Sequence, residues 1–169
     1  MAATKQKLDI LSVGDATLDI FVKISEASVM CSVDKETCLL CLSYADKIPI
    51  DSLDQSIAGN AANNAVGSAR LGLKAGFYSV IGDDETGRKI VETMRTEGVS
   101  LKYLVVDKKN PSNYSVVLNY KEERTILVHH YPRIYALPPL RHATHWIYYT
   151  SIGKNHQRLD RQLVSFIKK

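Results

Sequence analysis

The polar side chains that could do chemistry in this 169-residue chain stand among small or apolar neighbours. The densest stretch is Ile57-Ala58-Gly59-Asn60-Ala61-Ala62-Asn63-Asn64-Ala65-Val66-Gly67-Ser68-Ala69-Arg70-Leu71-Gly72. Its Ala58-Gly59 pair lets backbone amides approach a ligand with no side chain in the way. Asn60 suits an N-cap, and a small-residue helix follows, with Ala62, Ala65, Val66, Ala69 and Leu73 as its apolar stripe and Gly72 as its stop. Asn63 then stands in the first helical turn beside amides that lack intrahelical partners. There a carboxamide can donate to hydroxyl groups and accept from them. The same residues fit a plain tight turn entering a buried helix, and the stretch by itself leaves both readings open.

Other reactive side chains give less. His129-His130-Tyr131-Pro132-Arg133 offers two imidazoles, a phenol and a guanidinium. Neighbouring strand residues point to opposite faces, so His129 and His130 do not share an ion. His142 and His145 flank a separate strand without metal-ligand spacing. Cys38 and Cys41 have C-x-x-C spacing, and Cys31 is close by. No second Cys or His pair completes a zinc set, and Leu39-Leu40 does not suit a thioredoxin motif, so reduced, half-buried thiols are expected. Asp83 and Asp84 look like a metal pair, but a cap with favourable helix-dipole placement accounts for both carboxylates. No G-x-G-x-x-G or P-loop follows the first strand.

The elements that must position these groups alternate. Strand patterns cover residues 8–13, 75–81, 101–106 and 145–150. A hairpin is expected over 114–120 and 124–128 around Lys121-Glu122-Glu123. A second helix starts at Asp83 or Asp84 with Ile90, Val91 and Met94 buried, and ends at Gly98. A third begins at Asn155 with Leu159, Leu163, Val164 and Ile167 as its apolar face. Residues 21–49 are irregular short strands. This order predicts a parallel α/β sheet with helices on both faces. The hydrophobic share of 45% and charged share of 24% suit one globular domain. The net charge of +4 is spread out, with Lys108-Lys109 and Lys168-Lys169 only as pairs, so nucleic acid is not an expected partner. No apolar run reaches the ~18 residues of a membrane span, and no apolar h-region follows the N-terminus. A cytoplasmic location is the default expectation.

The Ala58-Gly59-x-x-x-Asn63 run entering a helix resembles the sugar-binding signature of the ribokinase-like (PfkB) carbohydrate kinases, with Ala58 at the first of its two glycines. Further matches are the interval from Gly14 to Asp19, the Gly82-Asp83-Asp84-x-x-Gly87 turn, and Pro111-Ser112-Asn113 in place of a Pro-Thr-Gly-like turn. Asn at position 113 is tolerable because it visits left-handed conformations more readily than most residues.

The resemblance implies a ribokinase-like three-layer α/β/α fold with a mainly parallel sheet and a small β-strand lid, at about 20–48 and 113–129. It covers the N-terminal half of the family's domain across residues 1–169, with the C-terminal part missing. It further implies a kinase that passes the γ-phosphoryl group of ATP, with Mg2+, to a hydroxyl of a small-molecule sugar or nucleoside. A homodimer through the lid is implied as well. The substrate-binding residues carried over are Thr17, Asp19, Gly59, Asn60 through its backbone, Asn63, Ser115 and Arg133. Asp19 would accept hydrogen bonds from sugar hydroxyls, as a carboxylate can from two at once; the alternative is a solvated turn residue. Arg133, whose planar fork matches a carboxylate, would pair with an acidic sugar; the alternative is a solvent-facing side chain. The family's Gly-Ala-Gly-Asp turn, which supplies the catalytic base and the anion hole, is not in the sequence, nor is the nucleotide-binding segment. Phosphoryl transfer needs both partners positioned. The expectation is therefore the sugar-holding half of a kinase, inactive alone, with a non-catalytic sugar-binding or interaction module as the alternative.

Overall fold

Apolar side chains fill both faces of β1 (Leu8–Val13), as a strand covered on two sides requires. The elements that follow are β2 (Thr17–Lys23), β3 (Ser28–Cys31), β4 (Cys38–Cys41), β5 (Ser52–Ala58), α1 (Asn60–Arg70), β6 (Ala75–Tyr78), β7 (Val80–Gly82), α2 (Glu85–Thr96), β8 (Val105–Asp107), β9 (Asn113–Tyr120), β10 (Glu123–His129), β11 (Thr144–Tyr149) and α3 (Gln157–Ile167). The computed structural model describes residues 7–34, 36–139 and 144–167, so His142 and the Lys168-Lys169 pair lie outside the described residues. The chain forms two compact units. One holds the chain up to Leu18, Ile57–Asn113 and the chain from His130 onward; the other holds Asp19–Ser56 and Tyr114–His129.

In the first unit β1 is the middle strand of a parallel sheet ordered β11-β1-β6, with Ser12 opposite Tyr148 and Phe77. Leu11 and Val13 pack with Leu159 and Leu163 of α3 on one face. Phe77 and Ile81 pack with Ala61, Ala62 and Ala65 of α1 and Ile90 and Met94 of α2 on the other. That is a three-layer α/β/α arrangement, as expected. The strand expected over 75–81 is two strands. At Ser79 the chain changes partner: its hydroxyl accepts from Ala16 N–H and its carbonyl from Val105 N–H, so β6 pairs with β1 while β7 pairs with β8. The strand expected over 101–106 shortens to β8, because Leu104 N–H bonds back to Leu101 and closes a turn.

The helix ends follow their capping residues. Asp84 caps α2, its Oδ1 accepting from Gly87 N–H at 2.7 Å. On α1 the expectation is corrected: Gly59, at φ 106°, is the cap, and Asn60 is the first helical residue. The backbone there must take a positive φ against the Asp15 carbonyl, which only glycine allows, so the Asn60 amide is free to donate to Ser151 Oγ at 2.7 Å instead. At its far end, Gly72 N–H reaches Ala69 and Leu73 N–H reaches Ser68, a Schellman closure through Gly72. Leu73 therefore lies past the buried stripe and is exposed. The third helix starts at Gln157 because Asn155 sits at φ 67°, and it buries Leu159 and Leu163 but leaves Val164 and Ile167 exposed.

The second unit is a sheet ordered β10-β9-β2-β5 plus the antiparallel β3–β4 hairpin. β9 and β10 join through a two-residue turn, Lys121-Glu122, with Tyr120 opposite Glu123. The expected free thiols are corrected: Cys31 and Cys38 are direct partners in the β3–β4 register and form a disulfide, leaving Cys41 free.

Gly59→Ala is expected to cost roughly 2 kcal/mol, since its Cβ would stand 2.4 Å from the Asp15 carbonyl at a strained φ. Gly67→Ala, mid-helix with open space around the added Cβ, is expected to gain about 0.5–1 kcal/mol. Urea unfolding of the two variants checks both signs.

Candidate functional site at the carboxyl edge of the parallel sheet

Because β11, β1 and β6 run parallel, they end at one edge, where an open α/β sheet offers its ligand crevice. Gly14 leaves β1 there; a Cβ on it would lie 2.2 Å from the Thr150 carbonyl, so the two loops touch through bare backbone. Asp15 N–H donates to the Ser151 carbonyl at 2.9 Å and fixes that contact. Gly59 packs on Asp15 and Ala16 and delivers the N-terminus of α1 to the same edge. Asn63, one turn in, is exposed, with its backbone N–H on the Gly59 carbonyl at 2.9 Å. Asn64 turns inward and accepts from the Ser12 hydroxyl at 2.8 Å, so it serves the sheet. Thr17 is half-buried at the start of β2.

The strongest polar feature of this edge is Asp15. It is 4% exposed. Both carboxylate oxygens accept from the Tyr135 hydroxyl at 2.9 Å, and Oδ2 also accepts from Gly153 N–H at 3.0 Å. His130 Nδ1 stands 3.7 Å from Oδ2. Burial pushes the Asp15 carboxyl above its ordinary value, against the opposing pull of Tyr135 and Gly153. Burial and the nearby carboxylate push the Tyr135 phenol up as well, which keeps it a donor.

Arg133 does not take either place expected for it. Its guanidinium is fully buried, donating through Nη1 to Asp107 at 3.0 Å and to the Asn110 carbonyl at 3.1 Å, and through Nη2 to the Pro111 carbonyl. It is a brace for the 107–111 loop, neither solvent-facing nor presented to a ligand. Burial of Asp107 works upward on its carboxyl, but Asn110, the Lys109 N–H and Arg133 outweigh it and hold it at about 2. Asp84 extends the same frame, accepting from Ser112 N–H at 2.8 Å and Ser112 Oγ at 2.7 Å. Asp84 thus serves as helix cap and loop anchor at once, while Asp83 is exposed and donates its backbone N–H to the Asp107 carbonyl at 3.2 Å.

In the second unit Asp19 is half-buried on β2, and Ser115 is buried on β9 opposite Val128. Among the described residues no three His, Cys, Asp or Glu side chains converge as a metal site. Sequence reading missed Asp15, Tyr135, Gly153 and His130 as one cluster. The signal available was an acid directly after the Gly that ends an apolar strand; its partners lie 120 and 138 residues away, beyond any local pattern.

The family described as pfkB family carbohydrate kinase matches residues 21–145. A 5-dehydro-2-deoxygluconokinase of Shouchella clausii is 47% identical over 58 residues, which are 34% of this chain and 18% of that protein. An aminoimidazole riboside kinase of Salmonella typhimurium is 37% identical over 102 residues, 56% of this chain and 32% of that one. The ribokinase of Arabidopsis thaliana complexed with ribose and ATP superposes with a TM-score of 0.57 at 22% identity, covering 73% of this chain and 36% of that chain. The chain thus spans well under two thirds of the length of these relatives.

Tyr135→Phe is expected to destabilise by about 1.5–3 kcal/mol at neutral pH, the range for a bond to a charged group. The Asp15 carboxyl titrates above its unfolded value, so its burial lowers stability once pH rises through the folded pKa, and the Tyr135 bond offsets part of that loss. The Tyr135→Phe penalty should therefore shrink toward acid pH in a series of melts. Arg133→Ala is expected to cost about 3 kcal/mol, because it leaves Asp107 and two carbonyls without their donor. A loss under 1 kcal/mol by urea unfolding would contradict a bracing role.

Proposed function

This chain belongs to the pfkB family of carbohydrate kinases, and on that premise we propose that it supplies the sugar-holding part of a carbohydrate kinase. The reaction is transfer of the ATP γ-phosphoryl group to a hydroxyl of a sugar or nucleoside, with Mg2+ required by the family reaction. Catalysis of this kind rests on positioning and charge stabilisation rather than on covalent chemistry by the protein. One observation carries the reading: the Gly59 turn sets the first turn of α1, with Asn60 and Asn63, at the carboxyl edge of the parallel sheet.

In this reading Asn63 offers a donor and an acceptor to vicinal hydroxyls, while Gly59 and the Asn60 backbone keep the approach clear. Thr17 stands two residues past Asp15, at the start of β2. Asp19 and Ser115, on strands of the second unit, are assigned hydroxyl contacts by the family pattern. Arg133 is assigned no ligand contact, since its side chain is buried and its Nη donors are committed to Asp107, Asn110 and Pro111. Relatives named for a deoxygluconate and a riboside frame the substrate class as a polyhydroxylated small molecule, with or without an acid group.

No described helix is long and apolar enough to cross a membrane. We assign the protein to the cytoplasm, where a reducing medium would open the Cys31–Cys38 bond. A homodimer through the second unit fits its exposed apolar side chains, among them Met30, Leu39, Leu53, Leu127 and Val128.

Isothermal titration of the chain with D-ribose and with D-gluconate tests the sugar-holding role. Asn63→Ala is expected to weaken whichever sugar binds by about tenfold, near the upper end for one net hydrogen bond, with an unchanged melting temperature. Affinity equal to that of the unsubstituted chain would remove Asn63 from the site.

A further inference from the structure

The Cys31–Cys38 bond closes a hairpin that has its own means of standing without it. Four direct pairs hold β3 against β4: Ser28 with Cys41, Val29 with Leu40, Met30 with Leu39 and Cys31 with Cys38. Beyond the last pair, Ser32 N–H donates to the Thr37 carbonyl at 2.8 Å, and Thr37 N–H donates to Ser32 Oγ at 3.2 Å. No residue of either strand is buried, so breaking the bond opens no core. The same backbone register keeps the two thiols opposite each other, ready for the bond to form again. Both cysteines are exposed, which lets a dissolved thiolate reach either sulfur. Their separation along the chain is seven residues, and a bond closing so short a loop adds less stability than one spanning a long loop. Exposed disulfides of this kind belong to the labile class rather than the structural one.

We propose that Cys31 and Cys38 form a reversible redox-modification site, acted on by glutathione-type thiols, that sets how tightly the second unit self-associates. This rests on the homodimer reading above. In the reducing direction one glutathione thiolate attacks a protein sulfur, the S–S bond breaks, and a mixed disulfide and one cysteine thiolate remain. A second glutathione thiolate then displaces the other protein sulfur. The products are glutathione disulfide and two cysteine thiols, which take up the two protons that the glutathiones released. The link to association is the neighbouring pair. Met30 and Leu39 are 64% and 60% exposed and stand one step along the ladder from the bond. With the bond closed their backbone is already ordered, so less conformational entropy is lost when a second copy covers them. With the bond open, that loss falls on association. Cys41 lies opposite Ser28, three residues from Cys38 and so on the other face of β4, and takes no part.

The chain is equilibrated in buffers of graded glutathione to glutathione disulfide ratio, trapped with iodoacetamide and weighed by mass spectrometry. The expected result is two alkylated thiols gained together as the ratio rises, with both forms populated within the range of a glutathione buffer. A bond that survives the most reducing buffer, or that never forms in glutathione disulfide, would overturn the proposal. Sedimentation equilibrium then reads the dimer dissociation constant, expected to be about tenfold lower for the oxidised chain. The C31S/C38S double variant should behave as the reduced chain in every buffer, and C41S should keep the full response. An equal constant in both redox states, or a response kept in C31S/C38S and lost in C41S, would overturn the regulation. A bond that titrates as expected in a chain that dimerises in no buffer would instead remove the homodimer reading, and its regulation with it.

Discussion

A carboxyl group withdrawn from water sets the terms for the first unit. Asp15 would be costly to bury unless its oxygens were satisfied, and the chain answers with a phenol from residue 135 and a backbone N–H from residue 153. Those two bonds tie the segment after β10 and the loop after β11 to the end of β1. The Gly59 turn closes on the same point from a fourth direction, its backbone against the Asp15 carbonyl. Four stretches far apart in sequence thus meet at one residue. The geometry of the edge depends on that single polar knot more than on any pair of apolar contacts.

A second polar frame stands beside it. Arg133 and Asp84 bind the 107–112 loop through side chain and backbone together, Arg133 on Asp107, Asn110 and Pro111, Asp84 on Ser112. Gly82 N–H also donates to Ser112 Oγ, so the end of β7 and the start of β9 share one serine. Loops held this way keep their neighbours at fixed places.

The parts legible in sequence were those set by local pattern. The apolar run of β1, the Asp84 cap and Ile90–Met94 stripe of α2, the Gly72 stop of α1 and the β9–β10 hairpin all follow from residues within a few positions of each other. The parts that were not legible depend on distant partners. Asn60 reads as a cap by type, but the Asp15 carbonyl demands glycine one position earlier. Arg133 reads as a surface or substrate residue by type, and only Asp107, 26 residues away, makes its burial possible. Cys31 and Cys38 read as separate thiols until the hairpin register sets them opposite each other. The strand over 75–81 is continuous in hydrophobicity, and its break at Ser79 is visible only once Ala16 and Val105 are in place.

The distribution of buried side chains has a dynamic meaning. Among the described residues the second unit buries Ile24 and Val117 as its fully buried apolar side chains, whereas the first unit buries two separate clusters. A sheet with so little of its own interior is held mainly by its backbone ladder. Such a unit opens as its own cooperative piece, at a free energy well below that of the α/β layers. The protein is therefore two thermodynamic bodies on one chain, a durable layered one and a labile sheet whose order grows when something covers it.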